Sequence, residues 1–209
     1  GLEYIDLYYQ HRIDPQTEPE AVAETMKDLI KEGKIRYWGI SEANEEYLRR
    51  AHKICPVTAV ENRYSMMARW HEALFPVLEE LSIAFVAFSP MANGLLTGAY
   101  HRATKFTEKG DYRSDMPQFT EKGMQQSEEL RAMLEKLAQE KNATPAQISL
   151  AWMINKKPYI VPIPGSRKVS RLKENLGAGH IRLDPLELER IDSLLDGMTF
   201  DVFGGHSNL

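Results

Sequence analysis

Short runs of β-branched and aromatic residues alternate along the chain with segments whose apolar positions recur at helical spacing. Tyr4 to Tyr9 is the first strand-like run. Thr17 and Glu20 then form a capping-box pattern around Pro19, and Val22, Met26, Leu29 and Ile30 fall on one helical face before Gly33 ends it. Arg36 to Ile40 predicts a second strand, and Asn44 caps a helix running to about Lys53. Val57 to Glu61 predicts a third strand and Arg69 to Leu81 a helix. Ala84 to Phe88 is continuously apolar, which predicts a strand buried on both faces. Residues 89–124 carry Gly, Pro, Asp and Thr with little periodicity, the mark of a functional lid or a partly disordered segment. Helices are expected over Ser127 to Lys141, from the capping box Thr144–Gln147 with Pro145, and from Asp184, Pro185 and Glu187 to about Gly197. Tyr159 to Pro162 is the fifth strand, with a helix from Val169 to Leu176 after it.

Alternating βα units imply a parallel sheet, and both a doubly wound sheet and a (β/α)₈ barrel satisfy the pattern. A full barrel typically takes ~250 residues; this chain of 209 residues shows five units. No interdomain linker or repeat interrupts it, so residues 1–209 read as a single domain.

Composition narrows the function. An apolar fraction of 43% and a charged fraction of 27% suit a globular protein. A formal net charge of -4 opposes a general nucleic-acid or anionic-membrane binder. No run reaches the ~18 apolar residues of a membrane span, and the opening segment lacks a signal-peptide pattern. The one cysteine, Cys55, forms no internal disulfide and reads as a packing residue, so a reducing, cytoplasmic setting is expected. His52, His71, His101, His180 and His206 show no metal-ligand spacing and read as surface or packing residues. Trp38 and Trp152 read as core, while Tyr64 and Trp70, after the third strand, are candidates to line a substrate pocket.

The run Pro162 to Asn175 carries the clearest chemistry. A strand ends in Pro164-Gly165-Ser166-Arg167-Lys168 and passes straight into a helix. Such a junction offers unpaired N–H donors and a positive dipole end to an anion. Gly165 permits close approach, Ser166 adds a hydroxyl, and Arg167, Lys168 and Arg171 add charge. No G-x-G-x-x-G follows the first strand, which removes a Rossmann-type site.

Four segments, YIDLYYQHRID (Tyr4–Asp14), KIRYWGIS (Lys34–Ser41), AFSPMANGLLTG (Ala87–Gly98) and IPGSRKVSRLKEN (Ile163–Asn175), resemble successive motifs of the aldo-keto reductase superfamily, in that family's order. The resemblance implies a (β/α)₈ TIM-type barrel, NADP(H) as cofactor and reduction of a small-molecule aldehyde or ketone to an alcohol. His11 falls on the family's catalytic histidine, and a neutral imidazole there donates a hydrogen bond to a carbonyl. Ser41 and the following residue match the pair that holds the nicotinamide carboxamide; the family has Asn where this chain has Glu42. Glu61 stands where Gln is common. A carboxylate accepts from the amide but cannot donate to its oxygen, and Asn62 is the nearest amide to supply that donor. Phe88 matches an aromatic ring that stacks on the nicotinamide. Ser89, Pro90 and Gly94 match the loop near the pyrophosphate. Ser166, Arg167 and Arg171 match the grip on the 2′-phosphate, and Glu174 and Asn175 the adenine contacts.

The family's Asp, Tyr and Lys lie on three βα units that precede the motif opening this chain. The expectation is therefore a partial barrel holding the last five units, a piece of a longer enzyme, with open sheet edges that invite self-association. At ~30 residues per unit the first three amount to roughly 90 residues. Two further function classes stay open at this point. One is a catalytically incomplete NADP(H)-binding or regulatory module, and the other a structural fragment that pairs through its edges.

Overall fold

The computed structural model describes residues 1–204, and His206 lies outside them. The chain divides into two compact units, Gly1–Arg63 with His71–Ala87, and Tyr64–Trp70 with Phe88 onward. Among the described residues, no helix is long and apolar enough to cross a membrane.

In the first unit β1 (Ile5–Gln10), α1 (Pro19–Lys31), β2 (Ile35–Ser41), α2 (Glu45–Ile54), β3 (Ala59–Arg63), α3 (Phe75–Leu81) and β4 (Ala84–Phe88, whose last residue begins the second unit) follow one another. The strands lie side by side in the order β1-β2-β3-β4. Each segment between consecutive strands carries a helix, which is what returns the chain to start the next parallel strand. The register places Tyr9 beside Gly39 and Gly39 beside Ala59. A Cβ at Gly39 would lie 2.4 Å from Tyr9 Cε1 and 2.7 Å from the Ala59 carbonyl oxygen. The glycine is required by that approach. Tyr9 Oη is buried with no hydrogen-bond partner among the described residues, and burial, then the charge of Glu61, pushes the phenol up to about 12.

Trp38, Ile40, Leu48, Ala51 and Phe85 are fully buried and form the core between sheet and helices. Cys55 is buried, as its apolar neighbours require. At the surface, Arg49 grips Glu80 with two bonds of 2.8 and 2.6 Å, and Arg50 bonds Glu20 at 2.8 and 2.7 Å. Such exposed pairs hold helix geometry more than they add stability.

Four local expectations differ from the structure. The Thr17–Glu20 capping box does not form: Thr17 Oγ1 donates to Asp14 Oδ2 at 3.0 Å, Glu20 is taken by Arg50, and the N-cap residue of α1 is Glu18, whose side chain makes no capping bond. The third strand begins two residues later than its apolar run, at Ala59. Residues 69–81 do not make one helix: a 3₁₀ turn over Trp70–Leu74 precedes α3, because Pro76 removes an N–H donor and is tolerated only in a first turn. β4 alternates buried and half-buried residues and is not enclosed on both faces.

The second unit holds α4 (Glu121–Gln126), α5 (Glu128–Glu140), α6 (Pro145–Lys156), β5 (Ile160–Pro162), α7 (Val169–Gly177) and α8 (Pro185–Asp196). α6 is its centre: Ile148, Leu150, Ala151, Trp152 and Met153 are all buried, and α5, α7, α8 and β5 pack around it. Both predicted capping boxes form, Thr144 with Gln147 and Asp184 with Glu187. Tyr64 is fully buried and stacks on Trp152, centroids 5.3 Å apart, so it is a core residue and not a pocket wall. Trp152 Nε1 donates to Asp192 Oδ1 at 3.0 Å.

Residues 89–124 are folded into short turns, Ala92–Thr97, Tyr112–Asp115 and Pro117–Phe119, followed by α4. Their lack of periodicity reflects left-handed backbone at Ser89, Ala92, Asn93, Gly94 and Gly98. An aromatic cluster of Tyr100, Phe106 and Phe119, with centroids 4.9 to 5.6 Å apart, gives the segment its own small core.

Candidate functional site

The strand ends of the first unit gather most of the residues matched to the cofactor head and the catalytic histidine. His11 follows β1 and is exposed. Ser41 ends β2 and is buried, with its hydroxyl donating to the Glu61 carbonyl at 3.0 Å. Arg12, not singled out from the sequence, donates from Nη1 to Ser41 Oγ at 3.0 Å and to the His11 carbonyl at 2.7 Å.

Glu42 has left-handed backbone, φ 59°, which costs a non-glycine residue on the order of 1 kcal/mol. Its neighbours hold it there. Glu42 N–H donates to Asn62 Oδ1 at 2.9 Å and to the Glu61 carbonyl at 3.2 Å, while Glu42 Oε1 accepts from Arg63 N–H at 3.1 Å. Asn62 and His71 are both fully buried, and Asn62 Nδ2 lies 3.0 Å from His71 Nδ1. Since Nδ2 can only donate, Nδ1 must accept, and the imidazole proton sits on Nε2, 3.9 Å from Glu42 Oε1. Burial, then the positive charge of Arg63, lowers His71 to about 4, which keeps it in this neutral state.

This network corrects one expectation. Asn62 does not present a donor to a ligand: its oxygen accepts from Glu42 N–H, one of its two amide N–H groups is given to His71, and no part of it reaches solvent. Its role is to fix the turn at Glu42. His71 had only its apolar neighbourhood to mark it in the sequence, and its partner nine residues upstream becomes visible only when β3 is placed.

In the second unit one cavity of about 810 Å³ collects eight of the predicted residues: Ser89, Pro90, Gly94, Ser166, Arg167, Arg171, Glu174 and Asn175. Phe88, half-buried at the end of β4, immediately precedes them. Residues 108–113 form another wall, where Arg113 is held by Asp111 and by Tyr100 Oη and sits 4.6 Å over the Phe106 ring. The aperiodic segment therefore contributes structure to the cavity, and its composition alone did not reveal which residues face inward. Trp70 lines a different cavity, of about 460 Å³, together with Met66, Leu195 and Phe200.

The junction into α7 has the features an anion needs. Lys168 is the N-cap residue and no side chain caps the helix, so its first N–H groups remain available. Ser166 Oγ accepts from Lys168 N–H at 3.1 Å, which sets the turn. Arg171 Nη1 bonds Glu174 Oε2 at 2.6 Å, whereas Arg167 is exposed and makes no ion pair among the described residues. Gly165 is informative. Its φ is not in the left-handed region, and a Cβ there would meet nothing within 4 Å. Neither the backbone nor the packing requires a glycine at this point, which leaves room for a ligand as the use of the missing side chain.

The comparisons with known proteins decide the family. The profile described as Aldo/keto reductase family matches residues 1–196. The chain belongs to the aldo/keto reductase family. It is 38% identical over 200 residues to Aldo-keto reductase str7 of Strobilurus tenacellus, covering 94% of this chain and 59% of that protein. It is 36% identical over 191 residues to Probable aldo-keto reductase 1 of Glycine max, covering 91% and 55%. It is also 36% identical over 200 residues to Aldo-keto reductase yakc [NADP(+)] of Schizosaccharomyces pombe, covering 94% and 58%. Among solved structures it superposes on the thermostable aldo-keto reductase Tm1743 in complex with the inhibitor epalrestat, with TM-score 0.72 and 26% identity over 92% of this chain and 60% of that one. It also superposes on the glycerol dehydrogenase AKR11B4 of Gluconobacter oxydans, with TM-score 0.83 and 27% identity over 93% and 59%. The α/β fold is thus of aldo-keto reductase type, and the chain spans under two thirds of the length of these relatives.

Proposed function

We propose that this aldo-keto reductase chain binds NADP(H) and belongs to an enzyme that reduces aldehydes or ketones to alcohols. The observation that carries the reading is the cavity of the second unit, where eight residues matched to the cofactor-binding motifs share one wall system around an uncapped helix start. Its donors suit a 2′-phosphate: a hydroxyl from Ser166, guanidinium groups from Arg167 and Arg171, and backbone N–H groups at the start of α7. In this reading Glu174 accepts from adenine and Asn175 donates to it. Ser89, Pro90 and Gly94 take the pyrophosphate side.

When bound, NADPH supplies the hydride that carbonyl reduction needs. The chain's own contributions are orientation and polarisation. Phe88 offers a ring face to the nicotinamide, Ser41, Glu42 and Glu61 hold its carboxamide, and His11 donates a hydrogen bond to the carbonyl oxygen of the substrate. The five βα units correspond in this reading to the last five of an eightfold barrel within a single aldo-keto reductase domain, in keeping with a span of 55 to 60% of the relatives. Partners are small carbonyl compounds, and the outer edge of β1 offers a surface for further strand pairing, in trans or within a longer chain.

A second reading rests on the same span. The family's acid–base Asp, Tyr and Lys precede the matched motifs, so these residues alone describe a module that binds NADP(H) without turnover. Fluorescence titration with NADPH and NADH, followed by NADPH oxidation with a panel of aldehydes, separates the cases. Binding with turnover supports the reductase, binding without turnover supports the module, and no binding by either cofactor defeats both.

A further inference from the structure

The strand ends of the first unit are short of hydrogen-bond donors. A primary carboxamide presents two N–H donors and one carbonyl oxygen, and a site that holds it must accept and donate. Glu42 and Glu61 carboxylates only accept. Ser41 has one hydroxyl proton, and it is committed to the Glu61 carbonyl at 3.0 Å. Asn62 accepts through Oδ1, gives one N–H to His71 and is fully buried, so its second N–H does not reach solvent. The four residues that sequence considerations bring to the carboxamide therefore supply acceptors in excess and no uncommitted donor that reaches solvent.

Arg12 supplies what they lack. Its Nη1 is 3.0 Å from Ser41 Oγ, so the guanidinium is tethered to the residue assigned to the carboxamide. Nη1 also donates to the His11 carbonyl, which fixes the group beside the catalytic histidine. Arginine carries five N–H donors in a rigid fork; among the described residues, Nε and Nη2 of Arg12 make no bond within the protein and no carboxylate pairs with it. The side chain is exposed, so its remaining donors face solvent.

We propose that Arg12 donates the hydrogen bond to the nicotinamide carboxamide oxygen, the task that an amide side chain performs where Asn or Gln stands at positions 42 and 61. This rests on the NADP(H) reading above, and it makes Arg12 and Glu42 a complementary pair: a carboxylate that accepts from the amide nitrogen and a guanidinium that donates to the oxygen. The pairing also relieves the proximity of two carboxylates to the ligand by adding a positive charge.

The test compares two ligands of the unmodified protein and its variants: NADPH, and 2′,5′-ADP, which has the phosphorylated adenosine but no nicotinamide. Arg12→Met is expected to weaken NADPH about tenfold, the loss of one charge-assisted hydrogen bond, and to leave 2′,5′-ADP unchanged. Adding Glu42→Gln to Arg12→Met is expected to recover most of the loss, because Gln Oε1 still accepts from Arg63 N–H while its Nε2 becomes the missing donor. Equal weakening of both ligands, no weakening of either, or no recovery in the double variant would each overturn the assignment. Failure of the unmodified protein to bind 2′,5′-ADP would instead defeat the tail site, and this inference with it.

Discussion

Replacing Arg171 with Ala tests the second-unit cavity most directly. Arg171 lines it from the first turn of α7 and is half-exposed, with Glu174 as its partner at 2.6 Å. A guanidinium hydrogen bond to a phosphate contributes about 1.5–3 kcal/mol. Part of that is offset, because engaging the phosphate draws Arg171 from an exposed pair one turn away, a contact of about 0.3–0.5 kcal/mol. The net loss for NADP(H) is about 1–2.5 kcal/mol, or roughly 5- to 70-fold in Kd. NAD(H) has no 2′-phosphate, so its Kd should change by no more than about twofold, the scale of the lost helix pair. Folding should be spared, since Arg171 is outside the core. Cofactor fluorescence titrations of both proteins with both cofactors measure the ratio. Equal losses for NADPH and NADH would refute the placement of the 2′-phosphate at this helix start.

Three further outcomes are expected. Gly165→Ala should leave the thermal midpoint unchanged, because the added methyl meets open space and the backbone is ordinary, yet it should weaken NADPH; a drop in midpoint with unchanged affinity would mean that the glycine serves the fold. Trp152→Ala removes a fully buried ring from its stack on Tyr64 together with one of the donors to Asp192, which Lys156 still holds, and should cost about 3–5 kcal/mol by urea unfolding. His71 is lowered to about 4 in the folded protein from an ordinary 6.5, so between those values the unfolded chain takes up a proton that the native imidazole refuses. Stability should therefore fall as pH drops through that window, and His71→Gln should flatten this part of the urea-midpoint profile relative to the unmodified protein.

The strand and helix sequence was readable because amphipathic period and capping chemistry agree over most of the chain. Thr144–Gln147 and Asp184–Glu187 cap as written, and Ala84 to Phe88 is a strand with the predicted ends. The errors arose where other partners prevailed over the expected local ones. Glu20 was drawn to Arg50 on the neighbouring helix, and Thr17 turned to Asp14. Tyr64 has the size and polarity of a pocket residue, but the flat face of Trp152, far along the chain, sets its place. Site residues in contiguous motifs, such as Ser166 to Asn175, were legible because a short stretch of chain brings them together. Arg12, Asn62 and His71 were not, because their parts depend on which β-strand ends are neighbours and on which hydrogen-bonding groups are already committed.

The fit of the Tyr9 ring over Gly39 limits how this family member can drift. A methyl at position 39 has nowhere to go while it would stand 2.4 Å from the ring, and the Ala59 carbonyl blocks the other side at 2.7 Å. Shrinking the side chain at 9 would relieve the ring contact and remove the unpartnered hydroxyl, but the Ala59 carbonyl would still stand 2.7 Å from any Cβ at 39. Position 39 is thus closed from two sides, one of them backbone, and a change at 9 alone does not free it. In a set of homologues that share this strand register, glycine should persist at 39 whatever the size of the residue at 9.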